Sequence, residues 1–286
     1  MCYARRVRAP ITLYLALALV VGACSSRAAD RVAPSPALRV VTLTPSATEI
    51  VAALGATDLL VGVDEYSEFP AEVKALPTVG SFMFPHLEAI IGLRPGLVIV
   101  DDIHGGAASA LRGANIETLA CTMHALPDVE HALRSVGARL GKAAEAEARI
   151  TAITAAIDAA RAARPARRPR VLAVIDREAD GLGNLVAVGP GSWVDELLAV
   201  VGAENVLAGA GVRYPKLSLE EVLRAQPEVI LDLSFPARTS VAAWQAVDVP
   251  AVKAGRVVAL AEPFLVAPSP RVEQALTVLA RAIAPR

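Results

Sequence analysis

The fold is decided by one long stretch near the middle of the chain, residues 127–165, which reads PDVEHALRSVGARLGKAAEAEARITAITAAIDAARAARP. Between its two end prolines lie 37 residues rich in Ala, Leu, Glu, Arg and Lys, all of which favour helix. Asp128 has the chemistry of an N-cap or first-turn acid, and apolar residues recur at helical spacing. One continuous helix of this length would span about 55 Å at ~1.5 Å per residue.

A helix of this length in mid-chain either forms a coiled coil or connects two bodies. The apolar repeat is too short and uneven for a coiled coil, so we expect a connecting helix between two lobes. Gly137 and Gly141 are the points where it would break, because each costs roughly 1 kcal/mol relative to Ala in a helix. A break there would weaken the rigidity of the connection but would leave two lobes.

Apolar strand-like runs alternate with helical segments on both sides of this stretch, a pattern typical of parallel α/β lobes. We expect an N-terminal lobe over residues 38–126 and a C-terminal lobe over residues 166–286. The two lobes share an internal repeat, because residues 87–99 and 219–230 each read as a helix opening on Leu-Glu, a proline stop and a buried strand. The predicted fold class is therefore α/β, with two Rossmann-like lobes joined by a single long helix and a ligand cleft between them.

The composition excludes several function classes. The 286 residues are 54% hydrophobic, enough for two cores, and a net charge of −1 gives no reason to expect a nucleic-acid partner. No nucleophile elbow, P-loop or dinucleotide fingerprint is present, which favours a binding protein over an enzyme. The four histidines share no ligand motif, and Asp64, Glu65, Asp101 and Asp102 are read as solvated loop acids. No intrinsic metal or cofactor is expected.

The N-terminus is read as a targeting segment. A basic region with three arginines precedes an apolar run at residues 11–21, which is too short for an ordinary transmembrane helix. The sequence Val21-Gly22-Ala23-Cys24 resembles a bacterial lipobox, so we expect a signal peptide over residues 1–23 and lipidation of Cys24. Alternatives are a plain secretory signal cut near Ala23 or Ala29, or an uncleaved anchor.

Residues 24–37 are rich in Ala, Ser, Arg and Pro, and they are predicted to be a flexible tether. The expected location is the periplasm, with a lipid anchor to a membrane. Cys121, the remaining thiol, follows a predicted strand and is read as a buried small residue rather than a nucleophile.

Six stretches carry a resemblance to a known family. The chain resembles the substrate-binding proteins of ABC importers for cobalamin, haem and iron-siderophores, and most of all the cobalamin branch. The resemblance covers nearly everything after residue 38 and implies a class III periplasmic binding protein, monomeric, that passes its ligand to a permease dimer in the inner membrane. The stretches are residues 39–49, 61–70, 87–100, 202–206, 214–220 and 269–271.

The resemblance implies capture of a corrinoid such as cobalamin in the cleft. Haem or a ferric siderophore is the alternative ligand, and an exported chelate-processing enzyme is the alternative from another class. Flat aromatic faces on both lobes would sandwich a flat macrocycle. The implied ligand-binding residues are Tyr66, Phe82, Phe264, Trp193, Tyr214 and Arg271, with Phe82 and Phe264 standing where cobalamin binders have Trp and with ordinary core packing as the alternative for each Phe.

The Leu-Glu of each repeated unit is implied to be a permease-docking carboxylate, which here is Glu88 and Glu220. Two separated carboxylates that pair with arginines on the two permease subunits would set orientation and on-rate. The alternative is that each Glu only favours its helix macrodipole, and Glu221 leaves open which neighbour acts. His86 is the candidate axial ligand if the cargo is haem, with Tyr66 and Met83 nearby in the same lobe.

Overall fold

The computed structural model describes residues 38–179, 181–234 and 240–285. The signal peptide, Cys24 and the tether predicted over residues 1–37 lie outside the described residues. All strands of a first sheet fall within residues 38–126, and all strands of a second sheet fall within residues 166–286. No described helix is both long and apolar enough to cross a membrane.

The N-terminal lobe is a parallel four-stranded sheet in the order β2-β1-β3-β4. Alternate residues of β3 point to opposite faces. Leu97 and Ile99 join an apolar cluster with α1, whereas Val98 and Val100 join another with α2 and α3. Its elements are β1 (Val40–Thr42), α1 (Pro45–Ala53), β2 (Leu60–Gly62), α2 (Leu87–Gly92), β3 (Leu97–Val100), α3 (Gly105–Gly113) and β4 (Glu117–Ala120), with 3-10 turns at Thr57–Leu59, Ala71–Ala75 and Asp102–His104.

The connection between the lobes is two helices, α4 (Leu126–Leu140) and α5 (Ala143–Ala162). The continuous helix predicted over residues 127–165 is therefore wrong. Gly141 adopts φ 70°, the left-handed conformation that ends a helix most easily at glycine, and Lys142 N–H donates to the Gly137 carbonyl oxygen at 2.7 Å. A Cβ atom on Gly137 would lie 2.8 Å from the Ala146 side chain, so glycine there permits close packing of the two helices.

The C-terminal lobe has a mixed sheet in the order β10-β9-β5-β6-β8, with β7 paired to β5. The strands β10, β9 and β5 are parallel, and β6 and β8 extend the sheet in antiparallel pairing. Its elements are β5 (Arg170–Asp176), β6 (Leu185–Ala187), α6 (Trp193–Val201), β7 (Glu204–Asn205), β8 (Lys216–Leu217), α7 (Leu219–Ala225), β9 (Val229–Asp232), α8 (Ser240–Trp244), α9 (Pro250–Lys253), β10 (Val257–Ala259), α10 (Pro263–Val266) and α11 (Val272–Ile283).

The helix α5 is the longer of the two connecting helices, with 20 residues and a length of about 30 Å. It packs against α4 on one side and against α6 and α11 on the other. One apolar cluster runs through all of these helices and into both sheets, including Ile50, Leu133, Ile153, Leu197 and Leu276. The two lobes are therefore held together by a shared core as well as by the chain itself.

Candidate functional site

Aromatic side chains in the described residues are concentrated in loops. The two tryptophans are buried in helices and Phe264 is buried in α10, whereas the other described aromatic residues lie in loops and are exposed. In a fold with scarce aromatic residues, this exposure indicates a binding surface rather than core packing. The exposed residues are Tyr66, Phe69, Phe82, Phe84 and Tyr214.

Tyr66 and Phe82 form a pair in the N-terminal lobe. Their ring centroids are 6.0 Å apart with an interplanar angle of 64°, an edge-to-face arrangement. Tyr66 is 56% exposed and Phe82 is 39% exposed. Tyr66 follows the carboxyl end of β2, and Phe82 lies next to the carboxyl end of β3. Ligands bind at this edge of an open α/β sheet.

A buried polar chain holds the Tyr66 loop. The Tyr66 N–H donates to Asp64 Oδ2 at 3.0 Å, and the Ser67 hydroxyl donates to Asp64 Oδ1. The Ser67 and Thr48 hydroxyls are 2.7 Å apart, and the Thr48 and Thr42 hydroxyls are 2.6 Å apart. Asp64 is only 1% exposed, so reading it as a solvated loop acid is wrong, and its burial raises its pKa.

The Phe82 loop is fastened to the end of β3 by His104. The buried imidazole accepts the Asp101 N–H at its Nδ1, 2.9 Å away. Its Nε2 must therefore carry the proton and donate to the Phe82 carbonyl oxygen at 2.5 Å. Both ring nitrogens of His104 are committed to positioning Phe82.

Arg271 lies between one aromatic ring of each lobe. Its guanidinium carbon is 4.1 Å from the Phe69 ring centroid and 4.6 Å from the Phe264 ring centroid, within the range of cation–π attraction. Its Nε donates to Glu49 Oε2 at 2.9 Å, and its Nη2 donates to Glu49 Oε1. The Ser269 hydroxyl donates to the same carboxylate.

Arg271 was expected to bind the ligand, but its guanidinium is engaged within the protein. The side chains of Arg271 and Glu49 are only 14% and 8% exposed, and the pair joins α1 to the segment before α11. A cavity of about 410 Å³ lies beside it, lined in part by Glu49, Phe69 and Arg271. Arg271 therefore orients the two phenylalanine rings and bridges the lobes.

Trp193 belongs to the core, which corrects its assignment to the cleft. It is 1% exposed, and its indole Nε1–H donates to the Phe264 carbonyl oxygen at 3.1 Å. It therefore supports the Phe264 segment from inside.

The remaining predicted ligand residues are exposed but stand apart from these contacts. Tyr214 joins neither the Tyr66 pair nor the Arg271 group. His86 and Met83 lie next to α2.

Glu88 and Glu220 occupy the first turns of α2 and α7. Both are exposed, and neither hydrogen-bonds or ion-pairs with a residue that the structure describes. Glu221 instead accepts from the N–H of Ser218 at 2.7 Å and from its hydroxyl at 2.9 Å, which closes a capping box. These hydrogen bonds lower the pKa of Glu221. Glu220 is therefore the free member of its pair.

Asp101 and Asp102 also differ from the sequence-based reading. Asp101 is buried, and desolvation together with the Asp102 carboxyl raises the pKa of Asp101 to about 6. Asp101 and His124 lower the pKa of Asp102 to about 2. The two acids form an unequal pair at the carboxyl end of β3, not two solvated loop residues.

Phe69 and Glu49 were not singled out by sequence analysis. Phe69 lies close in sequence to the predicted ligand residue Tyr66, so its aromatic type was a usable signal. Glu49 had no such signal, because its partner lies 222 residues further along the chain.

Comparison with known proteins gives a consistent result. The family described as periplasmic binding protein matches residues 40–263. A vitamin B12-binding protein of Vibrio cholerae serotype O1 is 30% identical over 264 residues, covering 86% of this chain and 90% of that protein.

Two solved structures agree with this result. A periplasmic haem-binding protein of Roseiflexus sp. RS-1 in its apo form is 31% identical with a TM-score of 0.78, covering 86% of this chain and 97% of the other. The periplasmic vitamin B12-binding protein of Vibrio cholerae is 27% identical with a TM-score of 0.68, covering 86% and 96%. The matched regions include both lobes.

Proposed function

This chain belongs to the periplasmic binding protein family, and from that membership we propose that it captures a corrinoid such as cobalamin between its lobes. It is the substrate-binding component of an ABC importer for cobalamin or haem, and it works in the periplasm with a membrane permease as partner. Membership confirms the predicted fold class, a class III periplasmic binding protein of α/β type.

The observation that carries the proposal is the exposed aromatic surface. Tyr66 and Phe82 present ring faces and edges to solvent at the carboxyl ends of strands, and their loops are held by Asp64 and His104. A preorganised apolar surface buries a flat macrocycle with little loss of rotamer entropy. Phe264 of the other lobe is only 8% exposed and packs against Arg271, so it backs the surface rather than forming part of it.

Iron and cobalt chelates differ in what they require from the protein. Haem iron is held by an axial side chain such as His, Tyr or Cys, whereas cobalamin carries its own nitrogen base for one axial position of cobalt. His104 has both ring nitrogens engaged. This engagement supports a corrinoid.

Titration tests this choice. We expect aquocobalamin to bind one-to-one with a change in its visible spectrum, and Phe82→Ala to weaken binding by about 1–3 kcal/mol through loss of buried aromatic area. Phe84→Ala, an exposed Phe of the same loop outside the ring pair, is the matched control. Absence of a spectral change or thermal shift with cobalamin would refute the ligand assignment.

Haem is the second candidate, favoured by the likeness to the Roseiflexus haem-binding structure and by the exposed Tyr66 and His86. A Soret shift on haem addition that is lost in Tyr66→Phe or in His86→Gln would assign haem and name its axial ligand. Ferric siderophores are tested in the same assay by fluorescence quenching. None of these ligands requires a catalytic group, so the protein is proposed to bind without chemistry.

Anchoring follows from the lipobox at residues 21–24. We propose that the protein is a monomer tethered to the membrane through acylated Cys24. Radiolabelled palmitate should be incorporated into the native chain and not into Cys24→Ser, which should appear in the soluble periplasmic fraction.

A further inference from the structure

Three side chains at the carboxyl ends of β3 and β4 have no part in the proposed capture of a macrocycle. They are Asp101, Asp102 and His124. Each offers one oxygen or nitrogen atom, and these atoms all lie within 4.8 Å of one another. His124 Nε2 is 3.0 Å from Asp102 Oδ2. Asp101 and Asp102 follow β3, and His124 lies between β4 and α4, so two separate segments meet here.

The buried member of this group is incompletely paired. Asp101 is only 9% exposed, and its Oδ1 is buried with no hydrogen-bond partner among the described residues. A carboxylate oxygen removed from water without a partner is costly. His124 pairs with Asp102, and among the described residues no lysine or arginine forms an ion pair with either carboxylate. The group therefore lacks a positive charge on the side of Asp101.

The backbone around the three side chains is already held in place. Asp128 Oδ2 accepts the N–H groups of His124 and Ala125, each at 2.9 Å. The Asp101 N–H donates to His104, which also holds the Phe82 loop. Because both segments are anchored, the two carboxylates and the imidazole are positioned before any ligand arrives.

We propose that Asp101, Asp102 and His124 form a binding site for a divalent transition-metal ion. Two carboxylate oxygens and one imidazole nitrogen suit first-row ions such as Mn²⁺, Co²⁺ and Zn²⁺. Asp102 is exposed and His124 half-buried, which leaves a path for entry and room for water ligands. The ion would neutralise the buried Asp101 oxygen and link the loops after β3 and β4. This site does not depend on the identity of the macrocycle.

The test uses untagged, chelator-treated full-length protein titrated with Co²⁺. We expect one Co²⁺ per chain, seen as d–d absorption bands, with Zn²⁺ competing and raising the melting temperature. Loss of outer-sphere partners alone costs metal sites about 10–100-fold in affinity, so Asp101→Asn and His124→Gln should each lose about 100-fold or more. Asp58→Asn and His131→Gln, exposed residues outside the group, should bind as the native chain does.

Thermal melting in the absence of metal shows whether a variant has lost the metal site or has simply been destabilised. Without metal, Asp101→Asn should melt no lower than the native protein, because it removes an uncompensated buried charge, and it should lose the Zn²⁺-induced shift. Absence of saturable Co²⁺ binding at one-to-one stoichiometry would overturn the proposal. Equal Co²⁺ affinity in His124→Gln and His131→Gln would overturn it as well.

Discussion

At the scale of single residues, Arg271 shows how one side chain serves two lobes. Its guanidinium contacts Phe69 and Phe264 and pairs with buried Glu49. Sequence analysis placed the residue among those implied to bind the ligand. The tertiary structure assigns its charge to a partner within the protein, so its effect on binding is indirect, through the position of the rings.

Arg271→Ala should lower the free energy of unfolding by about 3–5 kcal/mol, because it leaves Glu49 buried and unpaired. In a double-mutant cycle, Arg271→Met combined with Glu49→Gln should cost less stability than Arg271→Met and Glu49→Gln added together. Urea denaturation of the native protein, the two single variants and the double variant measures this. Additive costs would mean that the two side chains are not coupled. Arg213→Ala, in an exposed loop of the C-terminal lobe, is the control.

Cys121 provides a chemical test of burial. Desolvation raises its pKa to about 12, and a thiol reacts as its thiolate. In a chain with Cys2→Ser and Cys24→Ser, we expect a disulfide reagent at pH 8 to label Cys121 only after unfolding in guanidinium. Rapid labelling of the native protein would contradict the buried position between β4 and α4.

At the scale of elements, the break between α4 and α5 shows that local helix propensity does not decide where this helix ends. Ala, Glu and Arg favour helix on both sides of Gly141 and Lys142, so composition predicts continuity. The decisive quantity is the backbone conformation of Gly141, φ 70°, which allows the chain to turn and α5 to pack on α4. Propensity and periodicity do not encode that choice, because glycine is compatible with both outcomes.

The change in stability caused by Gly141→Ala has opposite signs for a helix that ends at Gly141 and for a continuous helix. In the observed cap, alanine is forced into the left-handed region and should destabilise the protein by about 1 kcal/mol. In a continuous helix, the same change would stabilise it by about 1 kcal/mol. Gly106→Ala, at a helical glycine of α3 with open space around it, should be neutral or stabilising. Thermal unfolding of the three proteins gives the comparison.

At the scale of the whole molecule, the repeated Leu-Glu units place one free carboxylate on each lobe. Ile91 and Leu223, each three residues after its Glu, are exposed on the same helices as Glu88 and Glu220. A charged group beside an apolar side chain at the start of a helix is suited to docking on a partner surface. The shared core through α4, α5, α6 and α11 would keep the two carboxylates at a nearly constant separation.

Reversing both charges, Glu88→Lys with Glu220→Lys, should abolish uptake while leaving ligand affinity within about twofold, because rim charges mainly govern encounter and orientation. The matched control reverses one exposed acid in each lobe away from α2 and α7, Asp58→Lys with Glu204→Lys. Uptake by the variant cells and affinity of the purified variants are measured separately. Loss of affinity in the first pair would show that these acids belong to the ligand site.

Features that depend on neighbours along the chain can be predicted from the amino-acid sequence. Apolar runs such as residues 97–100 predict buried strands, Leu-Glu followed by a proline stop predicts each repeated helix, and the alternation predicts two α/β lobes. Only the tertiary structure decided the pairing of Arg271 with Glu49, the burial of Trp193 and the meeting of Asp101 with His124. Propensity and periodicity act over a few residues, whereas these contacts depend on how segments far apart in the chain pack against one another.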